Sequence, residues 1–295
     1  MPSITRYTAQ TEIARQSDLS RQLLTLQQQV STGKRLTAPS DDPAAAARIA
    51  AIRQTQADQV IYTTNTNTGT SIASAADTNL SSVASLIDNA KGLLLSGSSA
   101  TTSDVNRATI ASQIAGLVST LQGLATANDP TGAPLFPTGT PLQIPVSDTQ
   151  SLPATASRDS VFNQVTVTTP ASGTTPASTT VMSLADILTN AAAALQTTDP
   201  TQRAALTSAS LTAMSAAADH IAQVRADQGV REQAFTDART AITNSGETLA
   251  TERSTLEDTD LTYALSQFQA NQLSLQAAQS VFAQSMKSSL FDLIG

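Results

Sequence analysis

The clearest pattern in this chain is a row of apolar residues that recur at alternating steps of three and four. Its members are Ala73, Ala76, Leu80, Val83, Ile87, Ala90 and Leu94. This heptad spacing keeps one apolar face along a helix, and such a seam most often forms the core of a bundle within its own chain. If residues 42–98 form one helix, its length at 1.5 Å per residue is about 85 Å, which predicts a rod.

A second, longer and more polar seam follows later in the chain. Its apolar positions are Ile221, Val224, Phe235, Ala238, Ile242, Leu249 and Leu256, and its remaining positions hold Gln228, Arg231, Ser245 and Glu252. We therefore expect a second long helix whose core is less apolar than that of the first.

Short motifs mark where helices begin and end. The predicted starts are Asp42-Pro43, Asp199-Pro200, and Ser183 followed three residues later by Asp186. The first two place a capping carboxylate before a proline at the first helical position, and the third is a weak capping box. Gly33 is a typical helix stop.

The middle of the chain has a different composition. Eight of the twelve prolines fall between residues 130 and 176, which largely excludes helix there. Residues 143–146 and 161–169 are rich in β-branched side chains, and Val161, Val165 and Val167 mostly fit the period of a strand. These features predict a small β-rich insertion of short strands.

The two ends carry complementary charge and matching apolar seams. Residues 1–35 hold five basic and two acidic side chains, whereas residues 256–295 hold one basic and four acidic side chains. The apolar positions are Leu19, Leu23, Leu26 and Val30 at one end, and Leu261, Leu265, Phe268, Leu275, Phe282 and Met286 at the other. We expect the ends to pair as helices.

An isolated pair of these helices would be marginally stable. Gln272 and Gln279 occupy core positions of the last segment, so the pair buries little apolar area. Four of the nine aromatic residues nevertheless lie in that segment. We therefore expect the ten apolar residues named for the two ends to form an assembly interface that neighbouring subunits complete.

The predicted fold class is mainly α, a long antiparallel helical rod with a small β-rich outer domain inserted in the middle. Residues 1–41 and 256–295 would form a terminal coiled-coil assembly domain that is disordered in the monomer. Residues 42–129 and 183–255 would form the helical rod domain, and residues 130–182 the outer domain.

Composition excludes several classes of function. The formal net charge of −7 argues against nucleic-acid binding. The chain has no cysteine, which excludes disulfides and thiolate chemistry. No stretch approaches 18 apolar residues, and residues 1–10 lack the apolar region of a cleavable signal peptide. We therefore expect neither a membrane span nor Sec export.

The residues that could carry chemistry have simpler explanations. His220 is the sole histidine, and we interpret it as a polar position on a helix rather than a catalytic base or zinc ligand. Thr32-Gly33-Lys34 lacks the earlier glycine of a phosphate loop. Asp41 and Asp42 are explained by capping. The prediction is a protein that is not an enzyme and that has no catalytic, cofactor or metal site.

An acidic cluster late in the chain is the remaining candidate. Glu257, Asp258 and Asp260 could coordinate a hard cation, but no glycine-turned calcium loop surrounds them. We interpret the cluster as a solvated junction between helices.

The stretch LQQQVSTGKRLTAPSDDPAAAA from Leu26 to Ala47 resembles the amino-terminal signature of the bacterial flagellin superfamily. The signature residues are Ser31, Thr32, Gly33, Arg35, Asp41, Asp42 and Pro43. Stretches beginning at Asn65, Asp104 and Leu256 follow the same family in order. The resemblance implies a coiled-coil inner layer, a helical second layer and an outer β domain.

Within the superfamily the chain is similar to the hook-associated protein 3 family, which forms the hook–filament junction. The similarity lies in Gly132 to Phe136, in Ile144 to Val146 with Arg158 to Phe162, in the Ile4-Thr5-Arg6-Tyr7 opening and in Ser289 to Leu293. It implies a structural adaptor between the hook-associated protein 1 ring and the flagellin filament. A short flagellin that forms the filament itself is the alternative.

The same resemblance implies a route and a set of partners. The subunit would leave the cell through the flagellar type III apparatus, guided by a dedicated export chaperone that covers the carboxy-terminal helix. In the extracellular flagellum it would contact hook-associated protein 1, flagellin and copies of itself in a ring, with no role for nucleic acid, membrane or cofactor.

Overall fold

The computed structural model describes residues 2–169 and 177–294, and the side chains of 10–169 and 177–284 among them. Within these residues the chain forms seven α-helices and four short β-strands. The helices are α1 (Pro2–Thr32), α2 (Pro43–Ser98), α3 (Asp104–Ala125), α4 (Arg158–Phe162), α5 (Leu184–Gln196), α6 (Pro200–Glu257) and α7 (Leu261–Ile294). The strands are β1 (Gln143–Pro145), β2 (Ser151–Pro153), β3 (Val165–Thr169) and β4 (Ser178–Met182). The predicted mainly α fold with a small β-rich insertion is confirmed.

The predicted helix starts are confirmed by their hydrogen bonds. At α2, Asp42 Oδ1 accepts from the Ala45 amide at 3.0 Å. At α6, Asp199 Oδ1 accepts from the amides of the second and third helical residues at 2.8 and 2.9 Å. At α5, Ser183 Oγ accepts from the Asp186 amide at 3.0 Å. Each oxygen satisfies a backbone donor that has no partner inside its helix.

The chain divides into two compact units. Unit 1 comprises residues 1–58 and 244–295, and unit 2 comprises residues 59–243. Both α2 and α6 contribute residues to each unit. No helix among the described residues holds a stretch apolar enough to cross a bilayer.

The core of unit 2 is built on the first heptad seam. All seven seam residues between 73 and 94 are buried, which confirms that this seam is the core of its own bundle. Helix α3 packs against α5 and contributes Ala111, Ile114 and Leu121, all at most 2% exposed.

Two residues of α6 bring it close to α2 inside unit 2. The Phe235 ring lies over Gly69, where a Cβ atom would come within 2.3 Å of Phe235 Cε1. Gln228, which is 1% exposed, donates from Nε2 to the carbonyl oxygens of Ala73 at 3.2 Å and Ala154 at 2.8 Å. The polar residue in the second seam therefore joins α6 to α2 and to the insertion.

The insertion contains two antiparallel hairpins. Ile144 pairs with Leu152 in the first, and the second runs from Val165 opposite Met182 to Thr169 opposite Ser178. Residues 170–176 between β3 and β4, which include Pro170 and Pro176, lie outside the described residues.

The prediction that residue 161 belongs to a strand is wrong. Val161 lies in helix α4, whose start is capped by Ser157 Oγ accepting from the Ser160 amide at 3.3 Å. Val161 and Phe162 are both buried, which a strand with alternating faces does not allow. The Phe162 ring meets that of Phe136 edge-on, with ring centroids 5.5 Å apart.

The histidine holds α6 to this small helix. His220 Nε2 lies 3.1 Å from the carbonyl oxygens of both Ser160 and Val161. Because both partners are acceptors, Nε2 carries the proton. His220 is therefore a half-buried structural contact at a polar position on α6 in unit 2.

Candidate assembly interface

The candidate interface lies in unit 1, where α1 and α7 pack against each other. The contact face of α1 holds Leu19, Leu23, Leu26 and Val30, all half-buried. That of α7 holds Phe268, Leu275 and Phe282, also half-buried, with Ala264 only 3% exposed. The predicted pairing of the two ends as helices is confirmed, and it occurs within one chain. The side chain of Met286 lies outside those that the structure describes.

A second set of apolar residues on the same two helices is exposed to solvent. These residues are Ile13, Leu24, Leu261, Tyr263, Leu265, Leu273 and Val281, with exposed fractions of 47–70%. Leu273 is two residues from Leu275, which places it about 200° around the helix from the half-buried face. Exposed apolar residues concentrated on one pair of helices are typical of a surface that another molecule covers.

The sequence predicted only two members of this exposed set as interface residues. Leu261 and Leu265 were expected at the interface, and both are exposed. The remaining exposed residues lie outside the row of apolar residues at steps of three and four. The pattern of a single apolar stripe therefore does not include them. The signal that could have found them is the presence of large apolar side chains on the polar side of a marginal helix pair.

The base of the helix pair is closed by backbone hydrogen bonds between the turn after α1 and the turn before α7. Gly33 ends α1 with φ of +71°, a left-handed conformation that glycine adopts without strain. The Arg35 amide donates to the Glu257 carbonyl oxygen at 2.7 Å, and the Thr259 amide donates to that of Gly33 at 2.9 Å. Residues 33–35 and 257–259 therefore form a short antiparallel bridge, which we call the terminal clasp.

A buried carboxylate lies at the centre of the terminal clasp. Glu257 is 7% exposed, and its Oε1 accepts from Lys34 Nζ at 2.5 Å and from Arg53 Nη2 at 3.0 Å. Arg253 Nε lies 3.8 Å from Oε2. The hydrogen bond from Lys34 holds the pKa of Glu257 below its usual range, and this effect outweighs the opposing effect of burial. The carboxylate is therefore charged at neutral pH.

The interpretation of the acidic cluster as a solvated junction is wrong for Glu257. Burial in unit 1 brings three basic side chains to it, two of them from more than 200 residues earlier in the chain. Asp258 and Asp260 do lie at the surface, where Asp260 Oδ1 caps α7 by accepting from the amides of Thr262 at 2.9 Å and Tyr263 at 3.0 Å. Among the described residues no group of three metal-ligating side chains comes together.

The family-signature residues build the turn that carries Lys34. Thr32 Oγ1 donates to the Gln28 carbonyl oxygen at 2.8 Å, which closes the last turn of α1. Asp41 Oδ2 accepts from the amides of Thr37 at 3.0 Å and Ala38 at 2.8 Å. These hydrogen bonds, that of Ala38 first, lower the pKa of Asp41.

Arginines extend the terminal clasp on both sides. Arg35 Nη2 donates to the Leu256 carbonyl oxygen at 3.0 Å and lies 3.6 Å from Asp42 Oδ2. Arg48 makes a two-point contact with Glu252 at 2.6 and 2.8 Å. The arrangement holds the two ends of the chain in register by ion pairs and backbone hydrogen bonds.

Comparison with known proteins identifies the family of both ends of the chain. The family model for the bacterial flagellin N-terminal helical region matches residues 5–138. The model for the bacterial flagellin C-terminal helical region matches residues 211–294. The two matches together include α1, the terminal clasp and α7.

Two curated relatives have the same name. The chain is 38% identical over 109 residues to flagellar hook-associated protein 3 of Escherichia coli (strain K12). It is 35% identical over 111 residues to flagellar hook-associated protein 3 of Salmonella typhimurium (strain LT2). The alignments cover 37% and 38% of this chain and 34% and 35% of the relatives, so the chain matches about a third of their length.

Solved structures share the fold at low sequence identity. Flagellar hook-associated protein-3 from Legionella pneumophila aligns with a TM-score of 0.62 at 14% identity, over 70% of this chain and 98% of that one. FlgL from Xanthomonas campestris aligns with a TM-score of 0.58 at 15% identity, over 69% and 99%. The two family-model matches, over residues 5–138 and 211–294, show that the chain belongs to the bacterial flagellin family.

Proposed function

We propose that the chain is a structural subunit of the extracellular bacterial flagellum, an adaptor at the hook–filament junction. It would join the hook-associated protein 1 ring to the flagellin filament. Membership of the flagellin family and similarity to two proteins named hook-associated protein 3 support the proposal. The fold shared with a flagellar junction protein from Legionella pneumophila, at a TM-score of 0.58, adds support.

The observation that carries the proposal is the exposed apolar set on α1 and α7. Identical subunits in a ring would cover these side chains, which water now contacts. The function would be mechanical, with no catalytic step.

The proposal assigns a role to each part of the chain. Residues 1–41 and 256–295 would assemble the ring, and the helices α1 and α7 beyond the terminal clasp would become ordered when neighbours cover them. Residues 42–129 and 183–255 would form the load-bearing helical layer, and residues 130–182 an outer domain. Export through the flagellar type III apparatus with a dedicated chaperone would precede assembly.

The test is electron microscopy of the purified full chain after a kosmotropic salt has strengthened apolar burial. We expect monomers or short oligomers that bind hook-associated protein 1 in a sedimentation assay. Long regular filaments formed by this chain alone would instead identify a short flagellin. A control sample of flagellin at the same salt concentration shows that the conditions support polymerisation.

A further inference from the structure

A cleft of about 510 Å³ lies in unit 2, where the turn after α2 meets the first turns of α3 and α6. Its polar wall residues are Ser98, Ser99, Arg107, Arg203, Thr207 and Ser208. Arginine is the only charged residue type among the residues that line it. The cleft is therefore lined by positive charge and hydroxyl groups.

The position of each arginine is unusual for a helix. Arg107 and Arg203 are the fourth residues of α3 and α6, close to helix N-termini, where the helix dipole disfavours a positive charge. The α6 terminus and both arginines add positive potential at one place. Local electrostatics therefore favours an anion in this cleft.

Backbone carbonyl groups hold both side chains in place. Arg203 Nη1 donates to the carbonyl oxygens of Thr197 at 2.9 Å and Thr198 at 3.4 Å. Arg107 donates to the Thr102 carbonyl oxygen and to the Asp104 carboxylate. Because the guanidinium groups are already ordered, a ligand would bind them at little cost in side-chain entropy.

A nearby carboxylate pairs with Arg107, whereas the charge of Arg203 is left uncompensated. The Asp104 side chain is 89% exposed and lies outside the wall of the cleft. The Asp199 carboxylate accepts two amides of α6 as its cap. Arg203 makes no ion pair among the described residues, and its Nε and Nη2 groups have no protein acceptor there.

A buried hydroxyl adds an independent observation. Thr207 lies in the wall, is 4% exposed, and its Oγ1 has no hydrogen-bond partner in the part of the chain described. A buried polar group without a partner costs free energy that a ligand accepting its proton would recover. Such a group is expected where a ligand completes the site.

We propose that this cleft is an oxyanion-binding site, with Arg203 and Arg107 as its charged ligands and the wall hydroxyls as further donors. Its ligand is either a free tetrahedral anion such as phosphate or sulfate, or a carboxylate, since both accept from guanidinium groups. The site does not depend on the proposed junction function, because no residue of α1, α7 or the terminal clasp contributes to it.

The test is isothermal titration of the full chain with inorganic phosphate, sulfate or acetate, at constant ionic strength maintained with sodium chloride. We expect saturable binding of at least one anion. Tighter binding of phosphate or sulfate identifies a tetrahedral ligand, and tighter binding of acetate identifies a carboxylate. The absence of saturable binding for all three anions would overturn the proposal.

Variants of Arg203 test whether this residue binds the anion or only supports the turn before α6. R203Q should weaken binding at least about tenfold, because it removes a charge-assisted donor, whereas R203K should retain part of the affinity. The matched control R239Q changes an exposed arginine elsewhere on α6 and should bind like the parent chain. Equal anion affinity in R203Q and the parent would refute the assignment, whatever happens to their melting temperatures.

Discussion

Lys34 Nζ lies 2.5 Å from Glu257 Oε1, although 223 residues separate the two positions in the chain. This contact joins the turn that follows α1 to the end of α6. Glu257 is nearly buried, whereas the Lys34 side chain is 48% exposed. The lysine therefore keeps much of its hydration while the carboxylate depends on its protein partners. Loss of the Glu257 carboxylate, rather than of the Lys34 ammonium group, should therefore open the terminal clasp.

Replacement of Glu257 by Gln should loosen the terminal clasp without unfolding unit 2. The neutral amide cannot accept charge-assisted hydrogen bonds from Lys34 and Arg53, a loss of about 1–2 kcal/mol of local stability. We therefore expect amide hydrogen exchange in peptides covering residues 33–42 and 254–262 to accelerate about five- to thirtyfold. Mass spectrometry of exchanged peptides measures this directly.

Glu252→Gln is the matched control for that experiment. It removes the partner of Arg48, but the Glu252 side chain is 37% exposed, and exposed ion pairs contribute little to stability. Exchange in the same peptides should change far less than in Glu257→Gln. Equal acceleration in the two variants would show that burial of Glu257 has no special part in the terminal clasp.

The stability of the terminal clasp should fall in acid. The pKa of Glu257 is lower in the folded chain than in the unfolded chain, so the ionised carboxylate favours folding. This contribution is fully present above the unfolded value of about 4.3 and is lost as the pH falls through the lower folded value.

The measurement is the exchange difference between the parent chain and Glu257→Gln across a pH series, corrected for intrinsic exchange rates. We expect a constant difference between about pH 7 and pH 5 and a progressive decrease below about pH 4. Asp41, whose pKa is also lowered, titrates in both proteins and cancels in the comparison. An exchange difference between the two proteins that stays constant from about pH 7 to below about pH 4 would contradict the charged role of Glu257.

The sequence was sufficient for the helices because their signals are local. The seam from Ala73 to Leu94 and the capping oxygens of Asp42 and Asp199 depend on residues a few positions apart, and all of them appear in the structure as expected. The complementary charge of the two ends likewise indicated their pairing.

The features that the sequence did not predict depend on distant contacts. Burial of Glu257 follows from basic side chains brought together by the fold, which no local pattern records. The β-branched Val161 favours a strand, but burial of Val161 and Phe162, whose ring packs edge-on against Phe136, fixes a short helix there. Tertiary packing in both places overrides local preference.

Replacement of Gly69 by Ala should destabilise unit 2. An added Cβ would lie 2.3 Å from Phe235 Cε1, so either the ring or the helix must shift, at a cost of about 1–3 kcal/mol. Gly92 lies in the same helix, and a Cβ added there would meet no atom within 4 Å, so Gly92→Ala should instead stabilise by up to about 1 kcal/mol. Thermal unfolding followed by circular dichroism compares the two, and a lower melting temperature for Gly92→Ala than for Gly69→Ala would contradict the packing argument.

On the proposed junction function, removal of residues 261–295 should abolish binding to hook-associated protein 1, and it should leave the central helices folded. The deleted segment includes five of the seven exposed apolar residues, whereas the core of unit 2 receives no residue from it. Sedimentation measures binding, and circular dichroism measures the remaining helix. Loss of helical signal well beyond the combined share of α1 and α7 would contradict the independence of unit 2.

A subtler variant distinguishes the two faces of the helix pair. Leu273→Ser changes a residue that is 70% exposed, so it should leave the pairing of α1 with α7 intact but weaken assembly, because the neighbour that covers it loses apolar burial. Val230→Ser, at a residue 69% exposed on α6, removes a similar exposed apolar side chain away from the helix pair and should assemble normally. Phe268→Ala should disturb the pairing itself, since its side chain lies on the half-buried face. If Leu273→Ser assembles as well as Val230→Ser, the exposed face of α7 at that residue is not the surface that neighbouring subunits cover.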